Sequence, residues 1–552
     1  MKKAILTILA AAMIFLLAAC GSSPAPVQPV DMPQEEVRPE YDANPLTGGS
    51  SATQETTAAA ETGDSKYGGV VRIIDTGDFN EPIGLPWMAI VARAWNTVIF
   101  ESMVNLNFAG EFLPNIAERW EIDMDKKTIT FWMRDDVWFS DGSKVNAEVV
   151  KWLFSMWEED GRGNEDMYYE DVRIIDDYTI EVTYINWQNV LLEHFMSPAY
   201  SLISMENYMK NGREYALEHP VGSGPFLFKQ YNRGSSVIFE RNPNYWREGK
   251  PYLDGVEYHA ITDVMTQNAA LMAEADSPDA ISYFGTTNPE QVYTLIQAGV
   301  DYDYSTMRSV GSFMLVPNSV DEANNPFYDL RVRNAVSYAL DRQSLCDAKG
   351  FGIWRPSSQM TGPGYAGNLP DDNPYLAQAT YDPDKAKALL ADAGYPNGFN
   401  TKITATAVFQ DQLVAIQEML RQVGINADLD FPDAGRFNEI QLSGWEGLLG
   451  FNWGQVTNTG VSYYIWWHPD GTSYVSALRP PDYEEKYYDA RRSKAVDTKL
   501  FGALSEIALR DQVFVPVYQN FSTLFIRNGL KDSGYKEFGS GLWLPYNAYW
   551  DR

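Results

Sequence analysis

Residues 100–150 read FESMVNLNFAGEFLPNIAERWEIDMDKKTITFWMRDDVWFSDGSKVNAEVV. Trp120-Glu121-Ile122 and Thr128 to Arg134 alternate apolar and polar side chains on either side of Asp125-Lys126-Lys127, which is the pattern of an antiparallel hairpin. Asp141-Gly142 marks a turn, and Asn146 stands where an N-cap opens a helix. Val149, Val150, Leu153, Phe154 and Trp157 then recur at helical spacing. Strands run into a helix here without regular βαβ alternation, so the stretch predicts an α+β or multi-domain α/β chain.

The surroundings extend that reading. Gly69 to Ile74 predicts a strand, and Val172 to Ile175 with Thr179 to Tyr184 predicts a second hairpin turning at Asp176-Asp177. Asp382-Pro383 supplies an N-cap and first helical residue; Ala386, Leu389, Leu390 and Ala393 form the apolar face, and Gly394 ends it. Leu413, Ile416, Leu420 and Val423 repeat the pattern up to Gly424, and the alternating run Ile425 to Phe431 follows as a strand. A helix feeding directly into a strand is a unit of twisted open sheets.

At 552 residues the chain has room for several folding units, each with its own core. Its 43 Lys+Arg against 74 Asp+Glu give a formal charge of −31. A surface this acidic repels nucleic-acid phosphate and disfavours a charge-held position on an anionic membrane. Two cysteines rule out a multi-disulfide framework, and four scattered histidines (His194, His219, His259, His468) leave little for a metal site. The 16 Trp, 33 Tyr and 26 Phe exceed what cores usually need, so some are expected to line a cleft.

The amino terminus sets the compartment. Met1-Lys2-Lys3 is a positive n-region, and residues 4–19 are apolar apart from Thr7. At ~1.5 Å per residue this run spans roughly 24 Å, short of a ~30 Å hydrocarbon core. A signal peptide over 1–19 is therefore expected instead of a membrane-spanning helix. Leu17-Ala18-Ala19-Cys20-Gly21 resembles the lipobox of bacterial lipoproteins, which implies cleavage before Cys20 and acylation of its thiol. Cys346 is then left without a disulfide partner and reads as a small buried apolar residue. Residues 20–66, rich in Pro, Ser, Thr, Ala, Gly and Glu, read as a disordered tether, because nothing in them buries enough surface to offset the entropy of ordering.

Catalytic signatures are missing. The sequence contains no HExxH, CxxC, GxSxG or Walker P-loop and no complete EF-hand loop. Gly222-Ser223-Gly224-Pro225 lacks the lysine and the helix opening of a phosphate loop. With 74 carboxylates, an acid/base pair somewhere is inevitable and uninformative.

Five segments together resemble the solute-binding proteins of ABC importers in the peptide/nickel family, family 5. They are VVRIID (70–75), the stretch 100–150, VGSGPFLFKQYNRGSSVIFERNPNYW (221–246), DLRVRNAVSYALDRQSL (329–345) and YDPDKAKALLADAGYPNGF (381–399). The resemblance spans nearly the whole body in the family's order. It implies a two-lobed periplasmic-binding-protein-like fold of type II, α/β, with a subdomain inserted into the first lobe. Lobe one is expected over 67–308 with the insertion at about 110–220, lobe two over 309–520, and a return to lobe one over 521–552. It further implies a lipid-anchored, extracellular or periplasmic, non-enzymatic receptor that acts as a monomer. Such a receptor captures oligopeptides by closing its lobes and delivers them to the membrane permease. No cofactor or metal is implied, and a nickel role is the weakest option. A secreted, lipid-anchored hydrolase is the alternative of another class. Within the family motifs, Arg241 is expected to pair with a carboxylate, Trp246 to pack in a core, and Asp341-Arg342 to cap and charge a helix end.

Ligand identity is expected to lie in Leu448 to Val456 (LLGFNWGQV). Peptide-binding relatives usually place here, after a Gly-Trp segment, an Asp that pairs with the peptide's amino terminus. This chain has no Asp or Glu between Gly447 and Pro469. A buried ammonium without an anion costs on the order of several kcal/mol. Phe451, Trp453 and Tyr463 offer stacking surfaces beside the amides of Asn452 and Gln455, and these five residues are the candidate ligand contacts. An oligosaccharide or another neutral solute therefore stays open beside an oligopeptide.

Overall fold

The computed structural model describes residues 66–551, except 76–78, 80–81, 89–94, 107–110, 162–168, 274–279, 287, 321–323, 363–364, 455–458, 472, 494–495 and 534–544. The signal peptide, Cys20, the tether up to residue 65 and Gln455 lie outside the described residues. Among the described residues no helix is long and apolar enough to cross a membrane.

Strands Ala117–Asp123 and Thr128–Met133 form the expected antiparallel hairpin. Asp123 accepts the Lys126 backbone N–H at 3.0 Å and its ammonium at 2.6 Å, and Lys127 takes the left-handed turn position at φ 57°. Asn146 caps the helix Ala147–Glu159 by accepting the Val149 N–H at 3.1 Å. The helix face read from the sequence is buried, from Val149 to Trp157. Tyr169–Asp176 and Thr179–Tyr184 make the second hairpin, and the four strands join in one antiparallel sheet separate from the main one.

The main sheet has eleven strands and is organised around two long ones, Tyr302–Pro317 and Val515–Arg527, which run antiparallel to each other. At one end Val515–Arg527 pairs with Ala280–Thr286, which leads through Val70–Asp75 to Gly255–Ala260. At the other end Tyr302–Pro317 pairs with Leu448–Gly454, which leads to the parallel strands Phe399–Thr404 and Ile425–Asp430. The register between the long strands is irregular between Thr306 and Ser309 and again before Gly311, and such bulges bend a strand.

The cores follow this division. One joins Val71, Trp87, Phe131, Phe154 and Tyr258 to the returning Leu524 and Ala548. Two others, built around Phe313, Leu413 and Tyr518 and around Trp453, Trp467 and Phe514, contain only residues from 313 to 518. A smaller cluster at the junction gathers Ile74, Leu295, Ile353, Phe521 and Phe525.

The remaining local readings have physical causes in the structure. Asp382 caps Pro383–Asp392 by accepting the Lys385 N–H, and Gly394 leaves that helix at φ 96°. Gly222 and Gly224 serve close packing, since a Cβ on Gly222 would sit 1.9 Å from the Ile99 carbonyl oxygen. Arg241 pairs with Asp254 at 2.7 Å. Trp246 donates its indole N–H to Glu101 at 2.5 Å, and Tyr245 donates to the same carboxylate at 2.8 Å. Burial holds the Glu101 carboxyl above its usual range, against the opposing pull of Arg247 and these donors. Asp341 accepts the Ser344 N–H at the start of Arg342–Lys349. Arg342 is buried and donates to the carbonyls of Ser337, Ala379 and Pro516. Cys346 is buried, and burial pushes its thiol up to about 12.

Candidate functional site

Leu448–Gly454 lies beside the second half of Tyr302–Pro317, with Trp453 opposite Ser312 and Asn452 opposite Phe313. Side chains alternate along a strand, so Phe451 and Trp453 enter one core while Asn452 faces the other side of the sheet. The Trp453 ring lies 5.3 Å from Tyr463, 5.2 Å from Trp466 and 5.1 Å from Phe514, centroid to centroid. Trp453 and Tyr463 are 0% exposed and Phe451 4%. The Tyr463 hydroxyl bonds Ser505 at 2.8 Å, and burial raises its pKa. Three of the five candidate ligand contacts are thus brought together as a packed aromatic cluster within the 313–518 body. Asn452 stands on the opposite face, and Gln455 lies outside the described residues. Trp466, packed against the same rings, is only partly buried.

Asn452 belongs to a different constellation. Its amide lies over Gly311, where an added Cβ would come within 2.3 Å of Asn452 Nδ2. Asn520, on the other long strand, is in register with Gly311. The register therefore brings the two amides to one face of the sheet at Gly311, with the Asn452 amide packed directly on the glycine. Asn452 Oδ1 and Asn520 Oδ1 are buried and accept no hydrogen bond among the described residues, and Ser312 Oγ and Trp453 Nε1 behind them are likewise unpaired. Buried polar groups in folded proteins are nearly always paired, so the two amide oxygens keep bonding capacity for a bound group. Arg355, exposed on the two-residue strand Arg355–Pro356 beside Gln519, places its guanidinium 4.7 Å from the Phe521 ring.

Sequence reasoning missed Asn520, Gly311 and Arg355. No local signal marks them, because they meet Asn452 only through strand register over long separations. The residues in register here (Gly311 to Phe313, Asn452 to Gly454, Tyr518 to Asn520) include no acid, histidine or cysteine. Among the described residues no group of three His, Cys, Asp or Glu could hold a metal ion. The arrangement offers hydrogen bonds and ring edges.

Glutathione-binding protein GsiB of Salmonella typhi is 27% identical over 409 residues, covering 70% of this chain and 74% of that protein. The periplasmic binding protein DppA of Helicobacter pylori, solved with the peptide STSA, superposes with a TM-score of 0.72 at 22% identity, covering 88% of this chain and 99% of that one. HbpA2 of Haemophilus parasuis gives 0.74 at 21% identity, with 88% and 100% covered. These likenesses establish the fold as the two-lobed α/β type of periplasmic binding proteins. The sequence pattern of the bacterial extracellular solute-binding proteins, family 5 Middle, matches residues 111–474, and the chain belongs to that family.

Proposed function

We propose that this chain is a lipid-anchored receptor on the outer face of the cell membrane that captures an oligopeptide between its lobes and passes it, chemically unaltered, to an ABC permease. In this reading lobe one comprises 67–308 and 521–552, lobe two 309–520, and the irregular register near residues 306–311 is the hinge. The observation that carries the proposal is the pair of amides, Asn452 and Asn520, brought to one face at Gly311 with their carbonyl oxygens buried and unpaired among the described residues. A peptide main chain supplies N–H donors for their free carbonyl oxygens. Contacts to both lobes favour closure by as much as the solute prefers the closed state. A micromolar solute supplies about −8 kcal/mol in total, part of which closure consumes. GsiB is named for binding glutathione, and DppA was solved with a tetrapeptide, which supports a peptide-like solute here.

A second reading, an oligosaccharide or other neutral solute, is favoured by one feature: no Asp or Glu occurs between Gly447 and Pro469 to meet an ammonium. Mass spectrometry of the solute retained through purification separates the two readings. Thermal-shift and tryptophan-fluorescence titrations with di- to pentapeptides, glutathione and cello-, xylo- and manno-oligosaccharides then measure the preference. Product formation without a binding shift would replace both with the hydrolase alternative.

A further inference from the structure

The lobes touch at a second place, far along the chain from the strands that join them. The loop between Thr179–Tyr184 and Leu191–His194 reaches the carboxyl end of the helix Tyr483–Arg491. There Asn189 donates its backbone N–H to the Arg491 carbonyl at 2.9 Å and its side-chain amide to the Ala490 carbonyl at 2.8 Å and to Ser493 Oγ at 3.0 Å. Trp187 Nε1 donates to the Ser493 carbonyl at 3.3 Å, and Arg491 donates to Gln188 Oε1 at 2.5 Å.

The last carbonyls of a helix have no partner within it and are normally satisfied by residues that follow in sequence or by water. Among the described residues the local part of that pattern is Arg492 N–H returning to Tyr488 and Ser493 Oγ to Ala490. The Ala490, Arg491 and Ser493 carbonyls all accept from the other lobe.

We infer that Asn189 is a positioning residue: it caps a lobe-two helix from lobe one, and so favours the closed arrangement of the lobes independently of solute. Opening the lobes uncaps Tyr483–Arg491, which ties the order of its last turn to closure. The device lies on the Asn189–Arg491 contact and not among the groups at Gly311, so it sets how readily the lobes close without choosing the solute. Losing the two side-chain bonds corresponds to about a tenfold change in the open-to-closed ratio.

The test uses the full chain carrying Cys20→Ser, with spin labels on Met209→Cys and Leu442→Cys, which are 66% and 60% exposed on lobe one and lobe two. The buried Cys346 thiol does not compete for label. Electron–electron resonance without added solute reads the interlobe distance directly. Asn189→Ala is expected to raise the long-distance population about tenfold relative to the short one. Trp187→Phe, which keeps the ring and removes one donor, is expected to give a smaller shift and faster hydrogen exchange at the Asn189 amide. A parent distribution already centred on the open separation, or one that neither variant moves, would overturn the inference. Since no ligand is added, failure here leaves the proposed solute class untouched, and failure of that class leaves this result standing.

Discussion

We predict that Trp453→Ala destabilises the part of the fold built on the Trp453, Trp467 and Phe514 core by about 3 to 5 kcal/mol, the usual cost of cutting a buried Trp or Phe to Ala. Trp453 is 0% exposed and touches three aromatic rings at 5.1 to 5.3 Å, so its removal leaves a void that rigid neighbours cannot close. Each ring pair adds about 0.5 to 1.5 kcal/mol beyond burial, which places the loss toward the upper end. No hydrogen bond offsets or adds to this, because Nε1 has no partner among the described residues. Against a typical total of about 5 to 15 kcal/mol the change is large. Urea unfolding followed by circular dichroism measures it, with the parent's transitions as reference because a two-lobed chain need not unfold in one step. Trp453→Phe keeps a ring in the cluster and leaves a smaller void, so it is expected to cost less than Trp453→Ala. A loss below about 1 kcal/mol for Trp453→Ala, combined with weakened solute binding, would refute the core assignment. It would mean that the ring is a stacking surface in the cleft.

Asn452→Asp places an anion beside Gly311; binding of peptides with a free amino terminus should tighten and that of neutral glycans weaken, both measured by calorimetry. A glycan affinity that is unchanged would remove Asn452 from the site. Cys20→Ser should shift the protein from the membrane fraction to the medium, and continued membrane retention would contradict lipidation. Native chain carrying that change should resist thiol reagents at pH 8, since a thiol at about 12 is ionised in about one molecule in ten thousand, and react once unfolded. The folded-state pKa is raised above the ordinary 9.0, so this group's contribution to stability is complete below pH 9 and is lost as pH climbs through about 12. Rapid labelling of the native chain at pH 8 would show that the Cys346 region opens readily.

Local structure was legible because it is written in short-range chemistry. The Asn146 and Asp382 caps, the Lys127 and Gly394 turns and the alternating hairpins each depend on a few adjacent residues, and they form where the sequence places them. The site was less legible for two separate reasons. One is distance: Asn520 meets Gly311 and Asn452 only because two long strands align in a register that no local pattern specifies.

The other reason is geometric, and the sequence did contain it. Phe451, Asn452 and Trp453 are consecutive in an extended strand, and consecutive side chains of a strand point to opposite faces. No single solute on one side of the sheet can stack on Phe451 and Trp453 while bonding Asn452. The alternation therefore forces a choice between rings and amide before any coordinate is known. Burial decides which way it falls: the rings meet Tyr463 and Phe514 in a closed core, and the amide packs on Gly311. A solute at this junction then meets carboxamides and main chain first. Aromatic contacts must come from rings that keep some surface and reach this face, as Trp466 does at Gly454, where an added Cβ would meet its ring at 2.9 Å. Trp466→Ala should accordingly weaken binding with a smaller loss of stability than Trp453→Ala, in paired titration and urea-unfolding measurements. The reverse order would place the solute on the other face of the strand.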